Sequence, residues 1–459
     1  MHKIYKCAEQ CRSMEERHRR VLLRQNPQWR DESLDTYEFR RDAYDTIARD
    51  LKHRQILAVV GLRRVGKTVL LKQIMGELDG TVPKLNLGYI SFDDRDFQRY
   101  ETADELVNYF LTFSDREKMR YLFLDEIQKI PNWPDLLKTL YDTEKNLKMV
   151  ISGSSSLEMK GYRETLAGRI MTHYLPVLTF REFVRYFGLE SFADAKNLAR
   201  EYDMKFLMNK EKYSSLFESY LAKGAFPELL DQEDETYITR YIKESIVEKV
   251  ISDISRHVRP RREDIVSDLL LIFSRNTARL YDITNIANTL SIDRNSAAEY
   301  INALKNAFLI KVDYNYTKSA LKQARTSKKA YIAHSCIPLA IMGYSLKITG
   351  MDGSDVGYLV ETTIANSLEG TNFWRTPQKY EVDIVIPGAV PLPIEVKYRG
   401  LLGTTDLRGI NKFMDKFGVK KGVLVTKDVF AEENIGDKKI IRIPAWLFLL
   451  LEQDDLSKL

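Results

Sequence analysis

Gly61-Leu62-Arg63-Arg64-Val65-Gly66-Lys67-Thr68 follows the apolar run Ile56 to Val60 and precedes a helical pattern reaching Met75. The stretch satisfies G-x-x-x-x-G-K-S/T in the context that gives the motif its meaning, a strand, a glycine-rich turn and a helix start. Backbone N–H groups of such a loop and the helix N-terminus converge on phosphate oxygens, the lysine ammonium reaches the β and γ phosphates, and the hydroxyl binds Mg²⁺. Gly61, Arg63, Arg64, Val65, Gly66, Lys67, Thr68 and Val69 are therefore the expected ATP-binding residues, with Lys67 also catalytic and Thr68 a metal ligand.

Working outward, short apolar strand candidates at Ile56 to Val60, Leu87 to Phe92, Tyr121 to Leu124 and Met149 to Ser152 alternate with longer helical patterns, which predicts a parallel sheet covered by helices. Tyr121-Leu122-Phe123-Leu124-Asp125-Glu126 is an apolar strand ending in two acids. Asp125 is expected to hold Mg²⁺ and Glu126 to orient or deprotonate the attacking water, which implies hydrolysis as well as binding. Met149 to Ser156 ends in hydroxyls, and Ser154 or Ser155 is the candidate γ-phosphate sensor. Arg169 could stabilise transition-state charge, in cis or from a neighbouring subunit, or be a surface arginine with a solvated head.

After Phe183 the strands give way to amphipathic helical stretches, Tyr202 to Ala222 and Ile238 to Ile254, broken at Gly224-Ala225-Phe226-Pro227, a helical lid or connector. Beyond the basic hinge Arg256 to Arg262, three helical patterns (Asp264 to Phe273, Ile283 to Leu290, Asn295 to Asn306) and two strand candidates (Phe308 to Tyr314, Lys329 to Ala333) outline a winged helix. Arg294, Asn295, Glu299, Tyr300 and Lys305 would read a groove, and Lys318, Lys322, Arg325, Lys328 and Lys329 would track phosphates. A solvated loop in a protein-binding module has the same composition.

From Gly357 onward the order is helix, three strands, helix, strand. Glu381-Val382-Asp383 and Ile394-Glu395-Val396-Lys397 lie on adjacent strands, so alternation puts Glu395 and Lys397 on one face with Asp383 opposite. Asp383 and Glu395, with Glu361 from the preceding helix, are expected metal ligands, and Lys397 would activate water for attack on a phosphodiester. A cleavage-dead DNA-binding or interaction remnant would carry the same pattern.

Composition bounds these readings. The 459 residues hold about three domains, and 70 Lys+Arg against 65 Asp+Glu, a formal +5, is too mild to name a nucleic-acid partner. Three Cys (Cys7, Cys11, Cys336) exclude a disulfide framework and a four-ligand zinc site, and the six His show no metal-ligand spacing. The apolar run Trp446 to Leu451 falls far short of the roughly 18 residues a membrane span needs, and the charged first twenty residues lack a secretory h-region. A cytoplasmic location and no membrane partner are expected.

The chain resembles AAA-type P-loop ATPases whose C-terminal half is the domain of unknown function DUF4143. The resemblance runs from Tyr44 to Trp446 through Gly61 to Thr68, Leu124-Asp125-Glu126-Ile127-Gln128, Ser152-Gly153-Ser154-Ser155, Leu178 to Phe183, Gly224 to Glu228 and Ile394 to Lys397. It implies ATP hydrolysis, and by analogy with ring-forming relatives an oligomer; the last unit resembles the PD-(D/E)XK nuclease fold. The expected architecture is α/β: an AAA-type parallel sheet within 1–185, a helical lid at 186–255, a winged helix at 256–335 and a restriction-endonuclease-like α/β domain at 336–459. The expected function is an ATPase acting on DNA, and the alternative is a nucleotide-dependent switch that binds a protein partner.

Overall fold

Ile56–Val60 (β1) is apolar and buried along its whole length, as a strand covered on both faces requires. It belongs to a five-stranded sheet with Leu87–Ser91 (β2), Arg120–Asp125 (β3), Leu147–Gly153 (β4) and Ile170–Tyr174 (β5), in the order β2-β3-β4-β1-β5. All four pairings are parallel. The strand ends at Val60, Asp125 and Gly153 therefore share one edge, with β4 between β1 and β3. Edge strand β5 alternates partly buried with exposed positions, which is why its sequence carries no continuous apolar signal.

The computed structural model describes residues 16–35, 37–153, 165–260, 262, 264–317, 327–400 and 403–459. Contacts divide the chain into two compact units, one ending at Pro176 and the other beginning at Val177. Ser154, Ser155, Lys318, Lys322, Arg325, Cys7 and Cys11 lie outside the described residues. Among those described, no helix is long and apolar enough to cross a membrane.

In the second unit the stretch from Tyr202 is a wide π turn (Tyr202–Phe206), a 3-10 turn (Leu207–Asn209) and an α-helix (Lys210–Lys223) rather than one helix. Helices Ile265–Arg275 (α1), Ile283–Leu290 (α2) and Arg294–Asn306 (α3) follow. Asp282 caps α2 through the Asn285 N–H, and Asp293 caps α3 through those of Asn295 and Ser296. Arg279–Tyr281 (β6), Ile310–Tyr314 (β7) and Lys328–Ile332 (β8) form an antiparallel sheet in the order β6-β8-β7. β6, only three residues long, is too short to register as a period.

Helix Gly353–Asn366 (α4) leads to Asn372–Arg375 (β9), Glu381–Ile386 (β10) and Leu392–Lys397 (β11), then helix Arg408–Phe417 (α5) and Lys421–Thr426 (β12). Two further strands, Ala431–Ile435 (β13) and Lys438–Pro444 (β14), complete a mixed sheet ordered β13-β14-β12-β11-β10-β9. β9, β10 and β11 are antiparallel neighbours, whereas β11, β12 and β14 run parallel. The apolar side of α5 packs on this sheet through Ile410, Phe413 and Met414, against Trp374, Val382 and Leu424. The register Ile384↔Ile394 carries Asp383 and Glu395 to facing positions.

Candidate functional site

The loop after β1 is shaped by contacts a side chain at its glycines would break. A Cβ on Gly61 would meet the Leu175 carbonyl oxygen at 2.3 Å, and Gly66 holds φ at +98°, where residues with a Cβ are strained. Leu62 and Val65 are buried and anchor the loop to the core, while Arg64 is exposed and itself adopts φ +66°. Lys67 opens the helix Lys67–Leu78, and its ammonium donates to the Gly61 and Leu62 carbonyls at 3.1 and 2.9 Å. Burial lowers the pKa of that ammonium, and the charges of Glu126 and Asp125 oppose the shift.

Beside it, Asp125 accepts three hydroxyl bonds. The Thr68 hydroxyl donates to Oδ2 at 2.7 Å, Tyr89 donates to the same oxygen at 2.8 Å, and Ser152 donates to Oδ1. Asp125 is only 2% exposed. A hydroxyl and a carboxylate in contact at a helix N-terminus are a hard-oxygen pair of the kind Mg²⁺ prefers. Burial and the Asp125 charge raise the Tyr89 pKa, so its phenol remains a donor across the working pH range. Glu126 follows directly at φ +55°; its N–H donates to Ser152 Oγ at 3.1 Å and its Oε2 accepts from Gln128 at 2.5 Å. Left-handed backbone at Arg64 and Glu126 costs about 1–2 kcal/mol each, and both residues flank the loop-and-carboxylate corner.

Three residues here were not singled out from sequence. Ser152 lies in the quoted strand two residues before Ser154, and its hydroxyl donates to Asp125 and accepts from the Glu126 amide. Tyr89 alternates correctly on β2, yet nothing local ties it to Asp125. Arg41, buried in the segment before helix Tyr44–Arg49, donates to the Val65 carbonyl and, at 2.8 Å, to that of Pro176, so it ties the loop backbone in place. Arg169 corrects an expectation. It precedes Ile170, which pairs with Ile56 at the start of β1, whereas the loop follows Val60 at the opposite end. Its guanidinium pairs with Asp142 at 2.9 Å and lies over Tyr141, so it does not serve the phosphate loop in cis.

The second candidate cluster does assemble. Lys397 lies 2.6 Å from Glu395 Oε1 and 3.6 Å from Asp383 Oδ2, and the Val396 N–H donates to that Asp383 oxygen at 2.9 Å. Glu361 reaches the same place from α4. The unexpected member is Lys329 of β8, 2.6 Å from Glu361, 3.0 Å from Glu381 and 3.6 Å from Asp383 Oδ1. Tyr331 donates to Glu361 at 3.3 Å. The Lys329 side chain is 3% exposed, so this residue of the expected basic ribbon faces the interior.

This geometry shows Glu361, Asp383 and Glu395, the expected metal ligands, as carboxyls ion-paired to lysines. Asp383 has an ammonium beside each oxygen, Lys329 holds Glu361, and a divalent ion placed among them would face two fixed positive charges. Glu395 Oε2 is buried without a hydrogen-bond partner, the one feature that would favour a cation. Among the described residues no group of three or more His, Cys, Asp and Glu is placed to hold a metal ion. His334 is instead a core residue whose burial pushes its pKa down to about 3.

Three buried carboxyls thus face the buried ammonium of Lys329 and the part-exposed ammonium of Lys397, and Glu381 is shared with Arg375 at 3.5 Å. Burial, with the Asp383 charge, pushes Glu361 and Glu395 up to about 8. Burial would raise Asp383 too, but Lys397 and Lys329 outweigh it and hold it below the usual carboxylate range. Burial would likewise lower Lys329 and Lys397; their carboxylate partners outweigh it and keep both charged. Two acids with raised folded-state pKa bind protons more tightly when folded, so their stabilisation is complete below about 4.5 and is lost as pH rises through about 8. The unfolding free energy of the second unit, measured by urea titration, should therefore fall between pH 5.5 and 8.5, by at most about 1.4 kcal/mol per pH unit per group. Glu361→Gln should flatten that slope; an unchanged slope would mean Glu361 is ionised throughout.

The winged-helix expectations divide. Arg294, Asn295, Glu299 and Lys305 of α3 are exposed, but Tyr300 is buried in the core and cannot read a groove. One face of the β7–β8 sheet is also taken. Lys311, facing Tyr331 across the strands, donates to Ala365 O at 2.5 Å, Leu368 O at 2.9 Å and Thr371 at 2.7 Å. Asp313, facing Lys329, accepts from Thr371 at 2.7 Å.

Residues 53–184 match the AAA domain family, residues 214–346 a domain of unknown function, DUF8612, and residues 357–446 the domain of unknown function DUF4143. Among curated proteins, the chain is 26% identical over 452 residues to uncharacterized protein MJ1637 of Methanocaldococcus jannaschii, covering 94% of this chain and 91% of that one. It is 24% identical over 406 residues to an uncharacterized protein of Haemophilus influenzae, covering 85% and 94%. Among solved structures, it is similar to the Walker-type ATPase PABY2304 of Pyrococcus abyssi, at 15% identity and TM-score 0.42, over 66% of this chain and 96% of that one. The ORC1 protein of Aeropyrum pernix, solved in complex with DNA, aligns at 14% identity and TM-score 0.29, over 67% and 92%.

Proposed function

We propose that the chain is an ATP-hydrolysing, AAA-type ATPase that acts on DNA, and that its C-terminal α/β module is a nuclease-like scaffold without metal-dependent cutting. The observation that carries the first part is the 2.7 Å contact between Thr68 and Asp125 beside a buried Lys67. In this reading the loop amides and Lys67 bind the β and γ phosphates, and Thr68 and Asp125 hold Mg²⁺. Bound Mg²⁺ supplies charge neutralisation on the phosphate oxygens. Ser152 and Tyr89 fix the Asp125 carboxylate, and Glu126, held by Gln128 and by Ser152 through its own N–H, orients the attacking water and accepts its proton.

The DNA half rests on the exposed Arg294, Asn295 and Lys305 of α3, which follows a capped helix in a winged-helix-like order. The interaction-scaffold half rests on the lysines that fill the carboxylate cluster. Glu126→Gln should retain ATP binding while kcat falls about 10²–10⁴-fold. Duplex, branched or single-stranded DNA should raise wild-type turnover, with binding that weakens steeply with salt. Turnover and binding indifferent to every DNA would leave the nucleotide site in place and move the partner to a protein.

A further inference from the structure

The carboxylate cluster of the second unit is satisfied by a lysine from a different sheet. Lys329 belongs to β8 of the three-stranded sheet, whereas Glu361 lies on α4 and Glu381 and Asp383 on β10. Its ammonium is within 3.6 Å of all three carboxylates, at 2.6, 3.0 and 3.6 Å. Three convergent carboxylates from a helix and a strand are the donor set a divalent ion would take, and here one side chain sits among them. The same strand face adds Tyr331 on Glu361, and Lys311 of β7 closes the end of α4 by donating to the Ala365 and Leu368 carbonyls.

We infer that Lys329 is the resident cation of this cluster: it occupies the place of a divalent metal, excludes one from the wild type, and its removal creates a metal site formed by Glu361, Glu381 and Asp383. The inference rests on the second unit alone and is independent of nucleotide binding at Lys67. Its consequence is that the β8 strand keeps a metal-competent carboxylate set closed, so metal binding and the seating of β8 exclude each other.

The test uses the full chain, without nucleotide, titrated with Mn²⁺ and followed by EPR and by thermal unfolding. Lys329→Met keeps the length of the side chain and removes its charge. It should bind one more Mn²⁺ than the wild type, and about 1 mM Mn²⁺ should raise its Tm by about 4 °C or more while the wild-type Tm moves by less than about 1 °C. Lys329→Met combined with Glu361→Gln should lose both effects. Lys329→Met that is folded and takes no extra Mn²⁺ would overturn the inference. The wild type decides it where that variant does not fold: a bound Mn²⁺ that is lost in Asp383→Asn but kept in Asp125→Asn would show that Lys329 excludes nothing, and its absence supports the inference.

Discussion

Lys67→Ala is expected to reduce ATP turnover by about 10³-fold or more, because the ammonium is the charge that the phosphates meet in a water-poor corner where a fixed cation acts strongly. Lys67 is 5% exposed, and in the described structure its ammonium donates to the Gly61 and Leu62 carbonyls. It is thus already positioned inside the loop, and a bound phosphate would need only to exchange for backbone acceptors. Those carbonyls can turn to water in the alanine variant, so the fold should survive, and near-UV circular dichroism should match the wild type. Turnover within about tenfold of the wild type would show that some other loop carries the chemistry.

Lys329→Met should produce the largest loss of stability of any single substitution outside the hydrophobic core. Removing one partner of a buried ion pair costs about 3–5 kcal/mol, since the remaining charges are left without a counter-ion. For a unit of this size that corresponds to a fall in Tm of about 6–15 °C. The loss should be milder at pH 6 than at pH 8, because Glu361 and Glu395 can take up protons in place of the missing ammonium. A Tm within about 2 °C of the wild type at pH 8 would mean that Lys329 does not stand among these carboxylates in solution.

Much of the nucleotide corner was legible because its determinants are local. The glycines of Gly61 to Gly66, Lys67 and Thr68 are contiguous, and Asp125 and Glu126 end an apolar strand, so spacing alone marks them as candidates, and the structure has Thr68 and Asp125 in contact. Ser152, Tyr89 and Arg41 were not legible, since each acts through a partner set by sheet order or by a distant segment. Arg169 shows the converse failure: it carries the right charge at a plausible distance in sequence, but strand direction puts it at the wrong end of β5.

The second unit divides in the same way. The hairpin Glu381 to Lys397 could be read from alternation, and the structure has that register. Its chemistry could not, because Lys329 comes from more than fifty positions upstream and reads in sequence as one of several exposed basic residues. Alternation along β8 does place Lys329 and Tyr331 on one face, but which face is covered depends on where α4 packs. The strands β13 and β14 carry weaker signals: edge strand β13, Ala431-Glu432-Glu433-Asn434-Ile435, is apolar only at its two ends, and β14, Lys438-Lys439-Ile440-Ile441-Arg442-Ile443-Pro444, lacks a strict alternation.

The most direct test of the nucleotide site is a titration of a fluorescent ATP analogue into the wild type and Asp125→Asn, each with and without Mg²⁺. Mg²⁺ should tighten wild-type binding by about tenfold or more, about 1.4 kcal/mol, and should leave Asp125→Asn unchanged. Absence of binding by the wild type, or an equal response to Mg²⁺ in the variant, would contradict a triphosphate held between Lys67, Thr68 and Asp125.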